Sequence, residues 1–123
     1  MATPENKVKA EVKKALIAHG VYPFADIATG KVTHDKVQGA FYMPVAGPFS
    51  VHGVHDFVGC WDGLFFSIET KAPKEVIDAT EHQERFRFAF SLAGGATYVG
   101  VRDASAVVDL YARVLARKLE KMR

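Results

Sequence analysis

The chain contains a single cysteine, Cys60, so neither an internal disulfide framework nor a multi-cysteine metal site can form. So few thiols suit a reducing, intracellular setting better than a secreted one. No apolar run approaches the roughly 20 residues that cross a bilayer. The polar, charged start of the chain carries no signal-peptide pattern. The expectation is a cytoplasmic protein (host cytoplasm if viral) with no membrane partner. Internal repeats and low-complexity stretches are missing too. Charge of one sign is not in excess either: 16 Lys and Arg against 14 Asp and Glu leave a formal +2, so bulk charge announces no nucleic-acid partner.

What is present describes an ordinary globular domain. A hydrophobic share of 49% with 24% charged residues excludes a disordered or fibrous chain. The 123 residues suffice for one domain, 1–123, and leave no room for two cores. Basic residues cluster at both ends: Lys7, Lys9, Lys13 and Lys14, then Arg113, Arg117, Lys118, Lys121 and Arg123. Such clusters can hold phosphates, although solvated helix faces are the commoner reason for charge runs.

The first expected element is a helix. Thr3 can cap it, Pro4 suits its first position, Val8, Val12, Leu16 and His19 form one stripe, and Gly20 ends it. Residues 21–52 give mixed signals, with a short apolar run at 40–45, and read as irregular strands and loops. Residues 55–61 and 64–72 are strand-like and flank Asp62-Gly63, a strong two-residue hairpin signal. After a linker, a helix is expected over 81–92, closed by Gly94-Gly95. A short strand follows at 96–102. The last helix starts near Asp103 and carries Val108, Tyr111, Leu115, Leu119 and Met122 on one side. The part around Tyr111 and Leu115 is expected to close the domain's own core more than to form a dimer interface, while for Phe41, Tyr42, Met43 and Val45 core and interface are even alternatives. The order predicts an α/β fold: a small mixed sheet flanked by helices.

Counting back from the Asp62-Gly63 turn pairs Trp61 with Leu64, Cys60 with Phe65, Gly59 with Phe66, Val58 with Ser67 and Phe57 with Ile68. Asp56 then stands opposite Glu69. Directly opposed side chains have Cβ atoms about 4.5–5.5 Å apart, where like charges repel. Alternation puts Lys71 on the face of Glu69, and Leu64, Phe66, Ile68 and Thr70 on the core face. Two acids and a lysine therefore converge on a mostly apolar sheet.

Something cationic must sit between the acids. Lys71 alone would make a charge triad on a solvated face. A divalent cation is the functional alternative, since Mg²⁺ is bound through one or two carboxylates plus phosphate oxygens. It activates water and neutralises a phosphodiester, while Lys71 orients the nucleophile or offsets developing charge.

The string Asp56, twelve residues, Glu69-Thr70-Lys71 resembles the PD-(D/E)xK nuclease signature. The surroundings are more specific. Gly53-Val54-His55-Asp56-Phe57-Val58-Gly59, the run from Asp62 to Pro73, Thr80-Glu81-His82-Gln83, and Gly94-Gly95 before the strand Ala96 to Arg102 resemble the VRR-NUC branch of that superfamily. So does the first helix, with Glu5, Val8, Val12, Leu16 and Gly20. The resemblance spans about residues 5 to 103. It implies a restriction-endonuclease-like core and a Mg²⁺- or Mn²⁺-dependent DNA endonuclease. Asp56 and Glu69 are then metal ligands, with the Thr70 backbone carbonyl as a third and Glu5 as a further candidate. Lys71 is the catalytic lysine, and Gln83 sits beside the metal. Standalone phage and bacterial members tend to be homodimers acting on branched DNA such as four-way (Holliday) junctions or flaps.

This sequence also departs from the pattern. His55 stands where proline or a small residue is usual, and the arginine that often follows the first helix has no counterpart in Val21 to Ala25. Residues 28–52 match poorly. Some site residues have plainer readings as well. Thr80 and Gln83 form a capping box, Glu5 suits a first helical turn, and Arg85 and Arg87 suit exposed positions. His55 falls by alternation on the face opposite Asp56. The competing functions are a duplex-cutting restriction or recombination nuclease, and a non-catalytic DNA-binding module with the same fold. Intact Asp56, Glu69 and Lys71 speak against the module, which has no use for opposed acids.

Overall fold

A computed structural model describes residues 3–45, 52–75 and 79–123. Positions 46–51 of the mixed stretch and 76–78 of the linker lie outside them. Helix α1, Pro4–Ala18, starts where the sequence places it: the Thr3 side chain accepts from the Asn6 amide, and Pro4 takes the first turn, where no N–H is needed. Its stripe Val8, Val12 and Leu16 is buried. Next come β1 (Val21–Pro23), a five-residue helix α2 (Phe24–Ala28), a 3₁₀ turn at His34–Lys36 and β2 (Gly39–Tyr42). The hairpin is β3 (Phe57–Trp61) and β4 (Leu64–Thr70). Helix α3 (Glu81–Leu92), strand β5 (Ala96–Val101) and helix α4 (Ser105–Lys121) complete the chain.

The five strands lie in chain order, β1-β2-β3-β4-β5. The outer pairs β1–β2 and β4–β5 are parallel, and the inner pairs antiparallel. All five hairpin pairs expected from the turn are found, from Trp61 opposite Leu64 to Phe57 opposite Ile68. Asp62 (φ 51°) and Gly63 (φ 85°) both take positive φ, which a two-residue type I′ turn demands and glycine adopts at no steric cost.

The sheet is covered on both faces. On one, α1 and α4 bury Phe57, Trp61, Leu64, Phe66 and Ile68 together with Val12, Leu16, Val107, Leu110 and Val114. Burial of such side chains supplies roughly 1.5–3 kcal/mol each before entropy is set against it. On the other, α3 lies over β4 and β5 with Phe90 stacked on Phe65, centroids 4.6 Å apart.

Helix α4 corrects one expectation. It buries Val107, Leu110 and Val114, not the stripe read from the sequence, and Val108 (66%), Leu119 (65%) and Met122 (82%) are exposed. Two apolar stripes overlap on this helix, and the one that packs is shorter. In the run at 40–45, Phe41 is core while Tyr42, Met43 and Val45 are exposed. The short α2 carries no side-chain cap and buries no residue, so no local signal announced it.

Candidate active site

The acids meet where the inner strands end. Strand β3 begins at Phe57, and Asp56 is a bend just before it, one step beyond the Phe57–Ile68 pair. Glu69 is the penultimate residue of β4 and is 4% exposed. Lys71 follows the strand, its amide donating to the Val101 carbonyl at 2.8 Å. Its ammonium acts on Glu69 to favour the charged form. Asp56, Glu69 and Lys71 are thus brought together as the spacing predicts.

Each carboxylate has its own partners. Asp56 Oδ2 accepts from the Thr70 amide at 2.9 Å and from the Thr70 hydroxyl at 2.6 Å. Its Oδ1 lies 3.6 Å from Lys9 Nζ on α1. Glu69 Oε2 accepts from the Gln83 side-chain amide at 2.9 Å. Gln83 also completes the capping box of α3: its amide donates to Thr80 Oγ1 at 3.2 Å, and its Oε1 accepts from the Thr80 amide at 2.9 Å. Gln83 therefore makes both contacts at once: its carbonyl end caps the helix and its amino end reaches Glu69.

Burial pushes Glu69 up to about 8, helped by its hydrogen bond to Asp56 and by the charges of Asp56 and Glu5. Asp56 moves the other way. Desolvation would raise it, but hydrogen bonds from the Thr70 hydroxyl, Glu69 and the Thr70 amide, with Lys9 beside it, hold it below the usual carboxylate range. The opposite shifts favour one shared proton on the pair over two charges. Glu69 holds it and Asp56 holds the negative charge.

Glu5 stands in the first turn of α1, half-buried, and is felt by Glu69 as a like charge. Among the described residues, no three His, Cys, Asp or Glu side chains form a metal-binding group. The donors on offer are two carboxylates and nearby backbone carbonyls. That is a hard-oxygen set of the kind Mg²⁺ takes when water and phosphate complete its shell.

His55 departs from the sequence reading. Alternation placed it away from Asp56, but β3 stops at Phe57 and period two ends there. The ring is fully buried, with Nδ1 2.8 Å from Ser67 Oγ, Nε2 3.0 Å from the Gln83 carbonyl, and Phe86 packed on it at 4.6 Å. Ser67 shares the strand face of Glu69, so His55 lies on the α3 side of the sheet. Burial outweighs the neighbouring carboxylates and keeps its pKa below the ordinary 6.5.

Lys9 is the site residue that sequence reasoning did not single out. It stood there only as one lysine of a cluster, although Glu5 and Lys9, spaced four apart on a helix, share a face. Several other cations are engaged elsewhere: Arg85 with Glu81, Arg87 with Glu84, Arg113 with Asp109, and Lys118 with Asp62.

No family model matches the sequence, and no curated protein matches it. Among solved structures, the chain is similar to one titled "VRR_NUC domain". The two share 20% identity at a TM-score of 0.60, over 90% of this chain and 97% of that one. The chain therefore has the fold of a VRR_NUC domain, a small mixed sheet flanked by helices.

Proposed function

From a chain with the fold of a VRR_NUC domain, we propose a metal-dependent endonuclease that hydrolyses DNA phosphodiester bonds. The observation that carries this reading is the forced approach of Asp56 and Glu69, each held by its own hydrogen-bond partner, beside Lys9 and Lys71. A protein gains little stability from such a pair, because desolvating acids is costly. The pair is useful where a divalent cation replaces the proton. Asp56 and Glu69 would hold Mg²⁺ or Mn²⁺, with the Thr70 carbonyl, and Glu5 as a further candidate. The ion supplies an activated water and neutralises charge on the scissile phosphate.

The chain's own residues do the rest. Thr70 fixes Asp56, and Gln83 fixes Glu69. To hold a cation Glu69 would have to be ionised, so binding would be coupled to loss of its proton. Lys71 orients the attacking water or offsets charge developing on the phosphate. Lys9 is the cation beside Asp56, 3.6 Å from its Oδ1, and would be placed to meet a phosphate brought to the acids.

The finer substrate class follows the resemblance of the sequence motifs: branched DNA, such as four-way junctions or flaps, cut by a homodimer. A panel of linear, flapped and four-way DNAs with Mg²⁺, Mn²⁺ or EDTA tests the whole reading. Metal-dependent cleavage favouring the branched substrates is expected. Equal cutting of linear duplex would replace the branched-DNA assignment, and no cutting of any DNA with either metal would overturn the nuclease reading.

A further inference from the structure

We propose that His55 is a positioning residue: its imidazole clamps the first turn of α3 to β4, and thereby aims the Gln83 amide at Glu69. The proposal rests on the nuclease reading of the site and adds a residue to it.

The partners fix the tautomer. A backbone carbonyl can only accept, so the Nε2 that meets the Gln83 carbonyl at 3.0 Å must carry the proton. Nδ1 is then the acceptor, and the Ser67 hydroxyl donates to it at 2.8 Å. The neutral ring has one donor and one acceptor, and both are used. A buried ring that only filled space would be apolar, because burying two nitrogens is unfavourable unless both are bonded. Here both bonds run between elements: one to the strand that carries Glu69, the other to the residue whose side chain holds Glu69 at 2.9 Å.

The approach to this ring is built for contact. Gly53, at φ 84°, lets the preceding loop lie against α3, where a Cβ would stand 2.3 Å from the His82 carbonyl oxygen. Phe86 covers the ring from the next turn of α3. The Gln83 backbone is thus tied through His55, while its side chain is tied through Thr80 and Glu69. A helix start held only by its own cap could rock against the sheet; with the His55 bond it has a fixed height above Ser67 and Glu69. Partners of metal-binding acids tune affinity by about 10–100-fold when removed, and His55 acts one bond further out, through Gln83.

Two polar variants separate positioning from packing. His55→Gln places its amide nitrogen near the position of Nε2 and can still donate to the Gln83 carbonyl. His55→Asn is too short to reach. In the folded proteins, checked by circular dichroism, His55→Asn should weaken Mn²⁺ binding by calorimetry by about tenfold, and His55→Gln should restore most of it. In the Gln83→Ala background, His55→Asn should add less than twofold, because the route through Gln83 is already cut. The Gln83 side-chain amide protons, followed by NMR in the metal-free protein, should exchange faster in His55→Asn than in wild type or His55→Gln. Unchanged Mn²⁺ affinity in folded His55→Asn, or losses that simply add in the double variant, would overturn the proposal. So would unchanged exchange of the Gln83 amide. A wild-type chain that binds no Mn²⁺ would overturn the nuclease reading instead, and the metal-free exchange measurement would then decide the clamp alone.

Discussion

Thr70 holds Asp56 through a single oxygen: its amide and its hydroxyl both donate to Oδ2, at 2.9 and 2.6 Å. This leaves Oδ1 facing Lys9. The carboxylate is thus oriented by the strand that carries its partner acid. Thr70→Val keeps the shape and the amide bond but removes the hydroxyl. It should raise the Asp56 pKa toward its ordinary value, cost about 1.5–3 kcal/mol of stability for a lost hydrogen bond to a charged group, and weaken Mn²⁺ binding. Urea denaturation and calorimetry check the two effects, and unchanged values for both would show that the amide alone suffices.

Asp56→Asn and Glu69→Gln should each abolish cleavage with the fold intact, because each removes one carboxylate of the opposed pair. Glu69→Gln should be no less stable than wild type without metal, since the cost of burying that acid is gone. Asp56→Asn gives up the charged acceptor of the Thr70 bonds and the partner of Lys9, and should be less stable. Full cleavage by either variant would sink the site assignment.

Stability of the metal-free chain should fall as pH rises from about 4.5 to 8. Glu69 titrates near its ordinary 4.5 when unfolded and at about 8 when folded. Between these values the folded state holds one more proton, so stability drops with a slope approaching about 1.4 kcal/mol per pH unit. Asp56, lowered in the fold, contributes in the opposite sense: its stability is present above its ordinary 3.8 and is lost as pH falls below it. Glu69→Gln should flatten the upper window. Mn²⁺ affinity should rise over the same window, as the metal competes with the Glu69 proton. Denaturation at several pH values checks the sign; a wild-type chain as stable at pH 8 as at pH 5, matching Glu69→Gln in slope, would refute the shared proton.

The hairpin was legible because it is local. Asp62-Gly63 sets the turn, the turn sets the register as far as Phe57 opposite Ile68, and Asp56 and Glu69 meet one step beyond it. The ends of α1 and α3 were legible for the same reason, through Thr3 and the Thr80–Gln83 box. Features set by packing between elements were not. Alternation misplaced His55 because β3 begins only at Phe57, one residue after Asp56. Lys9 was missed because the rotation of α1 against the sheet, which turns one lysine of the cluster toward Asp56, is a tertiary fact. On α4, periodicity supports two stripes, and only the packing of α1 and the sheet selects Val107, Leu110 and Val114.

Lys71→Ala should lose most activity yet retain metal binding. The lysine acts on water or phosphate and its ammonium cannot ligate a cation, so its loss removes a positive neighbour of Glu69 without removing a ligand. Calorimetric titration of Mn²⁺ into the variant decides. Abolished binding in a folded protein would show the roles to be misassigned.

Assembly is the last expectation. A branched DNA presents two strands for cutting, and a two-fold dimer supplies two sites related by symmetry. Exposed apolar side chains mark where such a contact should be sought. Phe41 is spent on the core, against Phe57 at 5.6 Å, while Tyr42, Met43 and Val45 stay exposed. On α4, Val108, Leu115, Leu119 and Met122 form an exposed stripe at helical spacing, with Tyr111 at its edge stacked on Trp61. An isologous contact of α4 with its symmetry mate would cover this stripe without touching Asp56 or Glu69. Light scattering at micromolar concentration should therefore give about twice 13.5 kDa, and Leu119→Glu should return the mass to that of one chain with cleavage chemistry still metal-dependent. A wild-type mass of one chain would refute the dimer; a dimer that survives Leu119→Glu would move the interface to the surface around Tyr42 and Met43.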